Sequence, residues 1–286
     1  MVRHGGIRAD WLGYATLRLE TPAPGLEGMG AEAPDPTVVY CDPGRYGVLS
    51  GDWPPADADG DPDHHPRGPA VEPHDADLVC VTHDHHYDPA AIRRVADEDT
   101  TLLVFEGVDT HRIDRAVERP VDLPCEVRRV DDEADLAVGD VIVRTTAAYN
   151  HPDGDHVRAD GDHVRADGDP VHPEGFGCGF HLTVPASGPS GTAADGVRVY
   201  WPGDTDVLEG HAELDVDLFC PPIGAAFTMD RHAAASLAAA MDPALVVPVH
   251  YNTFDTLRTD SRAFAADVAE AGIPVVLSET WPDDLW

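Results

Sequence analysis

One short segment concentrates side chains that bind metal ions in proteins. Residues 79–89 read Val-Cys-Val-Thr-His-Asp-His-His-Tyr-Asp-Pro, so His83, His85 and His86 follow an apolar run and precede a proline. Imidazoles combined with carboxylates suit Zn²⁺ or a similar divalent ion. In an extended or tightly turned segment, His83 and His85 project to the same side. The segment therefore predicts a metal site at the carboxyl end of a strand.

Two later segments end in the same types of side chain. The apolar run at 197–201 leads into Pro-Gly-Asp-Thr-Asp, which contains Asp204, and the run at 245–249 leads into His250. The alternative interpretation is a set of polar turns in a chain that contains 16 His. Three strands that finish in metal-ligand types favour a rigid site at one edge of a sheet.

Short apolar runs separated by turn residues predict the strands that carry these side chains. We predict strands at 14–19, 37–41, 78–82, 102–105, 127–130, 141–145, 179–184, 197–201, 216–220, 245–249 and 275–277. Helices are expected at 89–96, 108–117, 230–241 and 260–271. The predicted order begins with strands, places a helix in each half of the chain and alternates strands with helices towards the end. This order favours a layered α/β (α+β) sandwich.

Two polar segments are expected to lie outside the packed core. Residues 52–77 are rich in Asp, Pro, Gly and His and predict a solvated surface loop. Residues 150–174 contain the heptamer Asp-His-Val-Arg-Ala-Asp-Gly twice, at 155–161 and 162–168, which we interpret as a duplicated loop insertion. Since no compositional break marks a second domain, we predict a single domain over 1–286.

The composition predicts the environment of the protein rather than its fold. Among 286 residues, 53 are acidic and 19 are basic, all of them Arg, which gives a formal net charge of −34. Self-repulsion among these charges would destabilise the folded chain, and molar salt screens it. We therefore predict that the protein works in a halophilic cytoplasm.

The sequence has no apolar stretch long enough for a membrane span and no signal core, and its five cysteines show no C-x-x-C pairing. We therefore predict a cytoplasmic protein with no membrane partner, and a buried apolar setting for Cys41, Cys80, Cys178 and Cys220.

Taken in order, these motifs make the chain resemble the metallo-β-lactamase superfamily. The resembling branch includes L-ascorbate-6-phosphate lactonase-like proteins and small metal-dependent hydrolases. Besides the segments at 77–85 and 202–206, its markers are Trp-Leu-Gly-Tyr-Ala-Thr at 11–16, Cys-Asp-Pro at 41–43, Ala-Tyr-Asn at 148–150, His-Pro-Glu-Gly at 172–175, Pro-Ile-Gly at 222–224, Thr-Met-Asp at 228–230 and Pro-Val-His-Tyr at 248–251.

The resemblance implies a four-layer αββα sandwich with two metal ions at one edge of the sheets. By position, His83, His85 and His172 would hold the first ion, Asp204 would bridge the two, and His250 would hold the second. A metal-bound or bridging hydroxide would attack the carbonyl or phosphoryl centre of a small ester, lactone or phosphoester. The expected cofactor is Zn, as one or two ions, with Mn or Fe as alternatives.

The chain departs from the family pattern His-x-His-x-Asp-His, because Tyr87 and Asp88 occupy the fifth and sixth positions. Either Asp88 replaces a His, or a residue such as His86 is inserted and Pro89 stands where a ligand His would be. Both interpretations make Asp88 a ligand of the second metal and, with Asp204, a catalytic carboxylate. Both also lose one imidazole, which predicts a weaker or absent second metal unless the loop turns His86 inward.

Three further residues are additional candidates. Asp42 is either a carboxylate that orients a ligand His or a simple turn residue. Tyr14 stands where the family commonly carries His, and either hydrogen-bonds near the site or packs on the core. His151 is the alternative to His172 as the third ligand, which we favour because the Pro-Glu-Gly after it matches the family.

The leading hypothesis is thus a metal-dependent hydrolase acting on a small-molecule substrate. An RNase Z-like nuclease is the first alternative, but it requires a basic arm, and the long insertions here are acidic, so no nucleic-acid partner is expected. A non-catalytic metal-binding protein with a degenerate second site is the other alternative. A homo-oligomer is compatible with the sequence.

Overall fold

The computed structural model describes residues 2–21, 36–49, 71–113, 115–151, 170–186 and 196–279. The first sheet contains seven strands in chain order: β1 Val2–His4, β2 Ile7–Gly13, β3 Thr16–Glu20, β4 Val38–Cys41, β5 Leu78–Val81, β6 Thr101–Phe105 and β7 Glu126–Val130. Strands β1 to β4 pair antiparallel and β4 to β7 pair parallel.

The second sheet has the strand order β13-β12-β11-β10-β9-β8. Its strands are β8 Asp135–Val138, β9 Val141–Ala148, β10 Gly177–Val184, β11 Val197–Trp201, β12 Leu218–Phe219 and β13 Leu245–Val246. Strands β8 to β11 pair antiparallel, and β11 to β13 pair parallel. Both sheets contribute to one apolar core, and the four residues of β4 and of β5 are all buried, as expected for parallel strands covered on both faces.

Three α-helices begin directly after an aspartate that caps them. Asp88, Asp230 and Asp260 precede α1 (Pro89–Val95), α2 (Arg231–Met241) and α3 (Ser261–Glu270), and each carboxylate accepts a backbone N–H of the first turn. Each helix buries an apolar face of its own. These helices confirm the predictions at 89–96, 230–241 and 260–271, and the two-sheet architecture confirms the predicted fold class.

The predicted helix at 108–117 is wrong for the residues that the structure describes there, which form turns. The Asp109 N–H donates to Asp84 Oδ1 (2.6 Å), and the Asp109 carboxylate accepts the N–H of His111 (2.9 Å). A salt bridge also holds Arg112 to Asp84 (2.9 Å). These contacts tie the segment to the loop after β5, so it does not continue as a helix.

Most of both predicted loop insertions, at 52–70 and 152–169, lies outside the described residues. Four cysteines are buried as predicted: Cys41, Cys80, Cys178 and Cys220. No helix in the described ranges is both long and apolar enough to cross a membrane.

The topology brings the carboxyl ends of several strands to one edge. Because β4 and β5 are parallel neighbours, Asp42 and Thr82 follow them side by side, and the Asp42 N–H donates to Cys80 O (2.8 Å). In the second sheet, β11 ends shortly before Asp204, and His172 precedes β10. The fold therefore directs the segments singled out by the sequence towards one place.

Candidate metal centre

Four imidazoles surround a single carboxylate oxygen. The Nε2 atoms of His83, His86 and His172 each lie 3.6 Å from Asp204 Oδ2, and that of His250 lies 3.5 Å from it. These distances are too long for charge-assisted hydrogen bonds. Two ligand atoms of one tetrahedral zinc ion, each about 2.0–2.1 Å from the metal, lie about 3.3 Å apart. The spacing thus resembles that of atoms sharing an ion.

A fifth imidazole completes one half of the cluster. His85 Nδ1 lies 3.0 Å from His172 Nε2, and ligand atoms of His83, His85 and His172 all lie within 4.8 Å of one another. Ligand atoms of His83, His86 and Asp204 form a second group within the same distance. His85 is the member of the cluster that is not buried.

Several nitrogens of the cluster are buried without any hydrogen-bond partner among the described residues. They are Nε2 of His83, Nε2 of His86, and both ring nitrogens of His250. Burying unpaired polar atoms is costly, so native proteins leave few of them. Five imidazoles and one carboxylate form a donor set that zinc accepts. The residues present therefore fit a divalent metal ion.

The conformation of the loop after β5 decides which side chains enter the cluster. The His86 N–H approaches His83 O and the Tyr87 N–H approaches Asp84 O, each at 3.3 Å, so the chain turns here rather than extending. The turn directs His86 inward, where it is 1% exposed. The imidazole that the sequence pattern lacked is thus supplied by His86.

Asp42 is the hydrogen-bonding hub beneath the cluster. Its Oδ1 accepts the Thr82 N–H (2.8 Å), and its Oδ2 accepts the Thr82 hydroxyl (2.8 Å), the Trp201 Nε1–H (2.9 Å) and the His86 Nδ1–H (3.0 Å). With Nδ1 bonded to Asp42, Nε2 is the nitrogen of His86 that faces Asp204. These contacts support the orienting interpretation of Asp42 over the simple turn.

Two other imidazoles are oriented in the same way. His83 Nδ1 lies 2.9 Å from Thr82 Oγ1, which leaves Nε2 facing Asp204. His172 Nδ1 lies 3.1 Å from both Asn150 Oδ1 and Phe227 O. Thr82 is an orienting residue that the sequence motifs do not single out. Its position at a strand end, directly before His83, is the signal in the sequence.

Burial keeps most of the imidazoles neutral, the form that binds metals. Desolvation lowers the pKa of His83 well below its usual value, that of His172 to about 3 and that of His85 to about 4. Burial alone would raise the pKa of Asp204, but the neighbouring imidazoles, led by His250, lower it. The cluster is therefore a carboxylate among imidazoles whose neutral form is favoured, with one exception.

His86 is the exception among these imidazoles. Burial opposes its charged form, but the carboxylates of Asp204 and Asp42 outweigh burial and raise the pKa of His86. A metal ion at Nε2 would replace the proton there and leave the Nδ1–H bond to Asp42 intact.

The structure does not bring Asp88 to the cluster, which corrects the prediction of a metal-binding and catalytic role for it. Asp88 Oδ1 accepts the N–H groups of Ala90 and Ala91 (3.1 Å each), and Oδ2 accepts the Arg45 N–H (2.9 Å). Both oxygens are thus engaged in capping α1 and holding the neighbouring loop. Asp88 therefore does not take the place of the imidazole that the family pattern has and this sequence lacks.

The remaining candidates divide between the cluster and the surface. His151 is exposed and its N–H donates to Asp206 Oδ2 (2.8 Å), so the structure does not bring it to the cluster, whereas His172 is there. Tyr14 is buried, and its ring centroid lies 4.7 Å from that of His250 and 5.3 Å from that of His86. Tyr14 thus packs against the centre from the β2–β3 turn.

A family comparison identifies the superfamily of this chain. The model of the beta-lactamase superfamily domain matches residues 31–250, so the chain belongs to this superfamily. The UPF0173 metal-dependent hydrolase Ta0764 of Thermoplasma acidophilum is 36% identical over 99 residues, which cover 33% of this chain and 44% of that protein. TTHA1283 of Thermus thermophilus, which bears the same family name, is 40% identical over 81 residues, covering 27% and 36%. The matched region thus spans less than half the length of either relative.

Solved structures show the same fold. Igni18, a metallo hydrolase from Ignicoccus hospitalis, superposes with a TM-score of 0.57 at 18% identity and covers 96% of both chains. Isothiocyanate hydrolase from Delia radicum gut bacteria superposes with a TM-score of 0.58 at 16% identity and covers 93% of both chains. At these identities the likeness establishes the metallo-β-lactamase fold alone.

Proposed function

We propose that the chain is a metal-dependent hydrolase that acts on a small ester, lactone or phosphoester. The observation that carries the proposal is the convergence of four imidazole Nε2 atoms on Asp204 Oδ2 at 3.5–3.6 Å. The name metal-dependent hydrolase, borne by relatives in the same superfamily, supports it. The proposed substrate is a small molecule rather than a nucleic acid, because an RNase Z-like nuclease requires a basic arm and the long insertions of this chain are acidic.

The ligand set divides into two halves that share one residue. His83, His85 and His172 would hold a first ion, and His86 with His250 would hold a second. Asp204 lies between the two halves, since its Oδ2 is 3.6 Å from His172 Nε2 and 3.5 Å from His250 Nε2. Zinc suits this nitrogen-rich set, with manganese and iron as alternatives.

A divalent metal here would supply Lewis-acid polarisation of the substrate and a nucleophile at neutral pH. The protein itself contributes orientation, because Asp42, Thr82 and Asn150 each engage the Nδ1 side of a ligand imidazole. Preorganised ligands do not have to be ordered when substrate binds.

Tyr14 supplies a proton donor at the edge of the centre. Burial, followed by the charge of Asp204, raises the pKa of Tyr14 well above its usual value, so the phenol keeps its proton. The proposed role of this O–H is to donate a hydrogen bond to the substrate or its leaving group.

Metal analysis combined with hydrolysis assays tests the proposal. Purified protein in molar KCl is expected to hold stoichiometric transition metal and to hydrolyse 4-nitrophenyl acetate or bis(4-nitrophenyl) phosphate with added Zn²⁺ or Mn²⁺. Asp204→Asn should abolish this activity, whereas Asp135→Asn, an exposed change of equal charge, should not. Stoichiometric metal without any hydrolysis would instead support the non-catalytic alternative, and absence of bound metal would refute both.

A further inference from the structure

An arginine-lined cavity opens beside the metal centre. It has a volume of about 520 Å³, and the residues that line it include Arg45, Asp84, His85, Arg112, Arg115 and Phe176. Among the described residues that line the cavity, three are arginines and one, Asp84, carries a carboxylate. In a chain with 53 acidic residues and 19 basic ones, this local excess of positive charge is opposite in sign to the rest of the protein.

The cavity is continuous with the cluster through two shared side chains. His85 belongs to the candidate ligand set and also lines the cavity. The Phe176 ring centroid lies 5.1 Å from that of His85 and 5.6 Å from that of His172. The guanidinium of Arg112 lies over the same ring, 5.2 Å from its centroid. A small molecule in the cavity would therefore lie next to the metal ligands.

Two of the three arginines form no ion pair with any residue in the described ranges. Arg45 donates to His85 O and to the Tyr46 hydroxyl, and Arg115 donates to Tyr87 O. Elsewhere guanidinium groups pair with carboxylates: Arg93 with Glu118, Arg119 with Asp122, Arg128 with Glu126, and Arg144 with Asp135. The positive charge at the cavity is thus left available to a ligand.

Arg45 and Arg115 also repel each other. Desolvation, followed by the positive charge of Arg45, lowers the pKa of Arg115 from its usual value, and the charge of Asp88 opposes this shift. Like charges that converge at one cavity are unfavourable on their own, and a bound anion would convert this repulsion into attraction.

Arg45 is held in place by the residue that the sequence pattern suggested as a metal ligand. Asp88 Oδ2 accepts the Arg45 N–H (2.9 Å), although Arg45 has a φ of 60°, in the left-handed region. The guanidinium lies 4.8 Å from the Tyr46 ring centroid and donates to the Tyr46 hydroxyl (3.1 Å). Strained backbone that is retained in this way is typical of binding sites.

We propose that this cavity binds the anionic group, a phosphate or a carboxylate, of the substrate whose scissile bond lies at the metal centre. Arg45 and Arg115 are its principal donors, since Arg112 is already paired with Asp84. Planar guanidinium groups recognise both kinds of oxyanion through paired N–H donors. The inference of an anion site depends only on the residues of the cavity. Its connection to a scissile bond depends on the proposed hydrolase function.

Calorimetric titration with three probes that share a benzene ring tests the proposal. Phenyl phosphate, benzoate and neutral benzamide are titrated at fixed KCl into the protein as purified and after metal removal by chelation. One or both anions should bind in both states and benzamide should not, and the tighter anion identifies the preferred group. Arg45→Gln and Arg115→Gln should each weaken anion binding about tenfold.

Arg128→Gln is the matched control, because it removes the same charge from an exposed ion pair on β7 and should bind the anions like the wild type. Circular dichroism of each variant verifies folding, and Arg115→Lys, which keeps the charge but not the planar fork, provides a milder second change. Equal binding of benzamide, or wild-type affinity in both Arg→Gln variants, would overturn the proposal. If anion binding persists without any hydrolysis, the proposed function fails and the anion site stands.

Discussion

Replacing Asp42 with asparagine removes the charge beneath the metal centre with little change in shape. Asparagine also tolerates the left-handed backbone at this position, where φ is 46°. The carboxylate accepts four hydrogen bonds, from the Thr82 N–H, the Thr82 hydroxyl, Trp201 and His86. An amide offers one acceptor oxygen in place of two, so at least one of these buried donors loses its partner.

The expected effects follow from this count of donors. Three of the four hydrogen bonds converge on Oδ2, so the amide oxygen should take that place and leave the Thr82 N–H facing an NH₂ group. One unsatisfied buried donor, together with three hydrogen bonds that lose charge assistance, should lower the free energy of unfolding by about 3–5 kcal/mol. Loss of the carboxylate that orients His86 should weaken metal binding at that half of the centre about 10–100-fold.

Two measurements examine the Asp42→Asn variant. Urea denaturation in molar KCl gives the change in the free energy of unfolding, and competition with a chromophoric chelator gives the zinc affinities. Asp135→Asn is the control, since it removes the same charge from an exposed pair with Arg144 and should change the free energy of unfolding by less than about 1 kcal/mol. Wild-type stability and zinc affinity in Asp42→Asn would refute the assignment of Asp42 as the orienting hub.

Three further predictions concern the backbone, the metal and the solvent. Gly203→Ala should lower the free energy of unfolding by about 2–3 kcal/mol in urea denaturation, because φ is +68° and an added Cβ would lie 2.7 Å from Cys178 O; wild-type stability would contradict this. Chelation of bound metal should lower the free energy of unfolding by about 2.7 kcal/mol for each ion removed, relative to protein with free zinc at a hundred times the Kd of that site, and an unchanged thermal midpoint would argue against a native metal. Dilution from molar KCl to about 0.1 M should lower the thermal midpoint, because the Debye length grows from about 3 Å to about 10 Å around a chain of net charge −34, and a salt-independent midpoint would contradict the halophilic interpretation.

Apolar runs in the sequence predict those strands that are buried on both faces. Strands β4, β5 and β11 are short apolar runs, and their predicted positions agree with the structure to within a residue or two. Strand β2 was not predicted because its sequence contains Arg8 and Asp10, which look like loop residues. In the structure these two charges pair at 2.6 Å, so Asp10 is tolerated in a buried strand.

The candidate site was predictable in composition but not in the details of one loop. His83, Asp204 and His250 follow strands, so their convergence is a consequence of topology. The choice between His86 and Asp88 depends on a turn held by 3.3 Å hydrogen bonds, and strand periodicity carries no information about such a turn. Asp88 is explained by a local rule instead, since an aspartate before a proline at the start of a helix is a typical cap.

The zinc content of His86→Ala compared with that of Asp88→Ala tests the proposed centre most directly. Mass spectrometry of metals after dialysis in molar KCl should find two ions per chain in the wild type and in Asp88→Ala. The Asp88 variant should lose only about 1 kcal/mol of stability with its helix cap. His86→Ala should retain a single ion, held by His83, His85 and His172. Loss of an ion from Asp88→Ala, with both retained in His86→Ala, would contradict the centre described here.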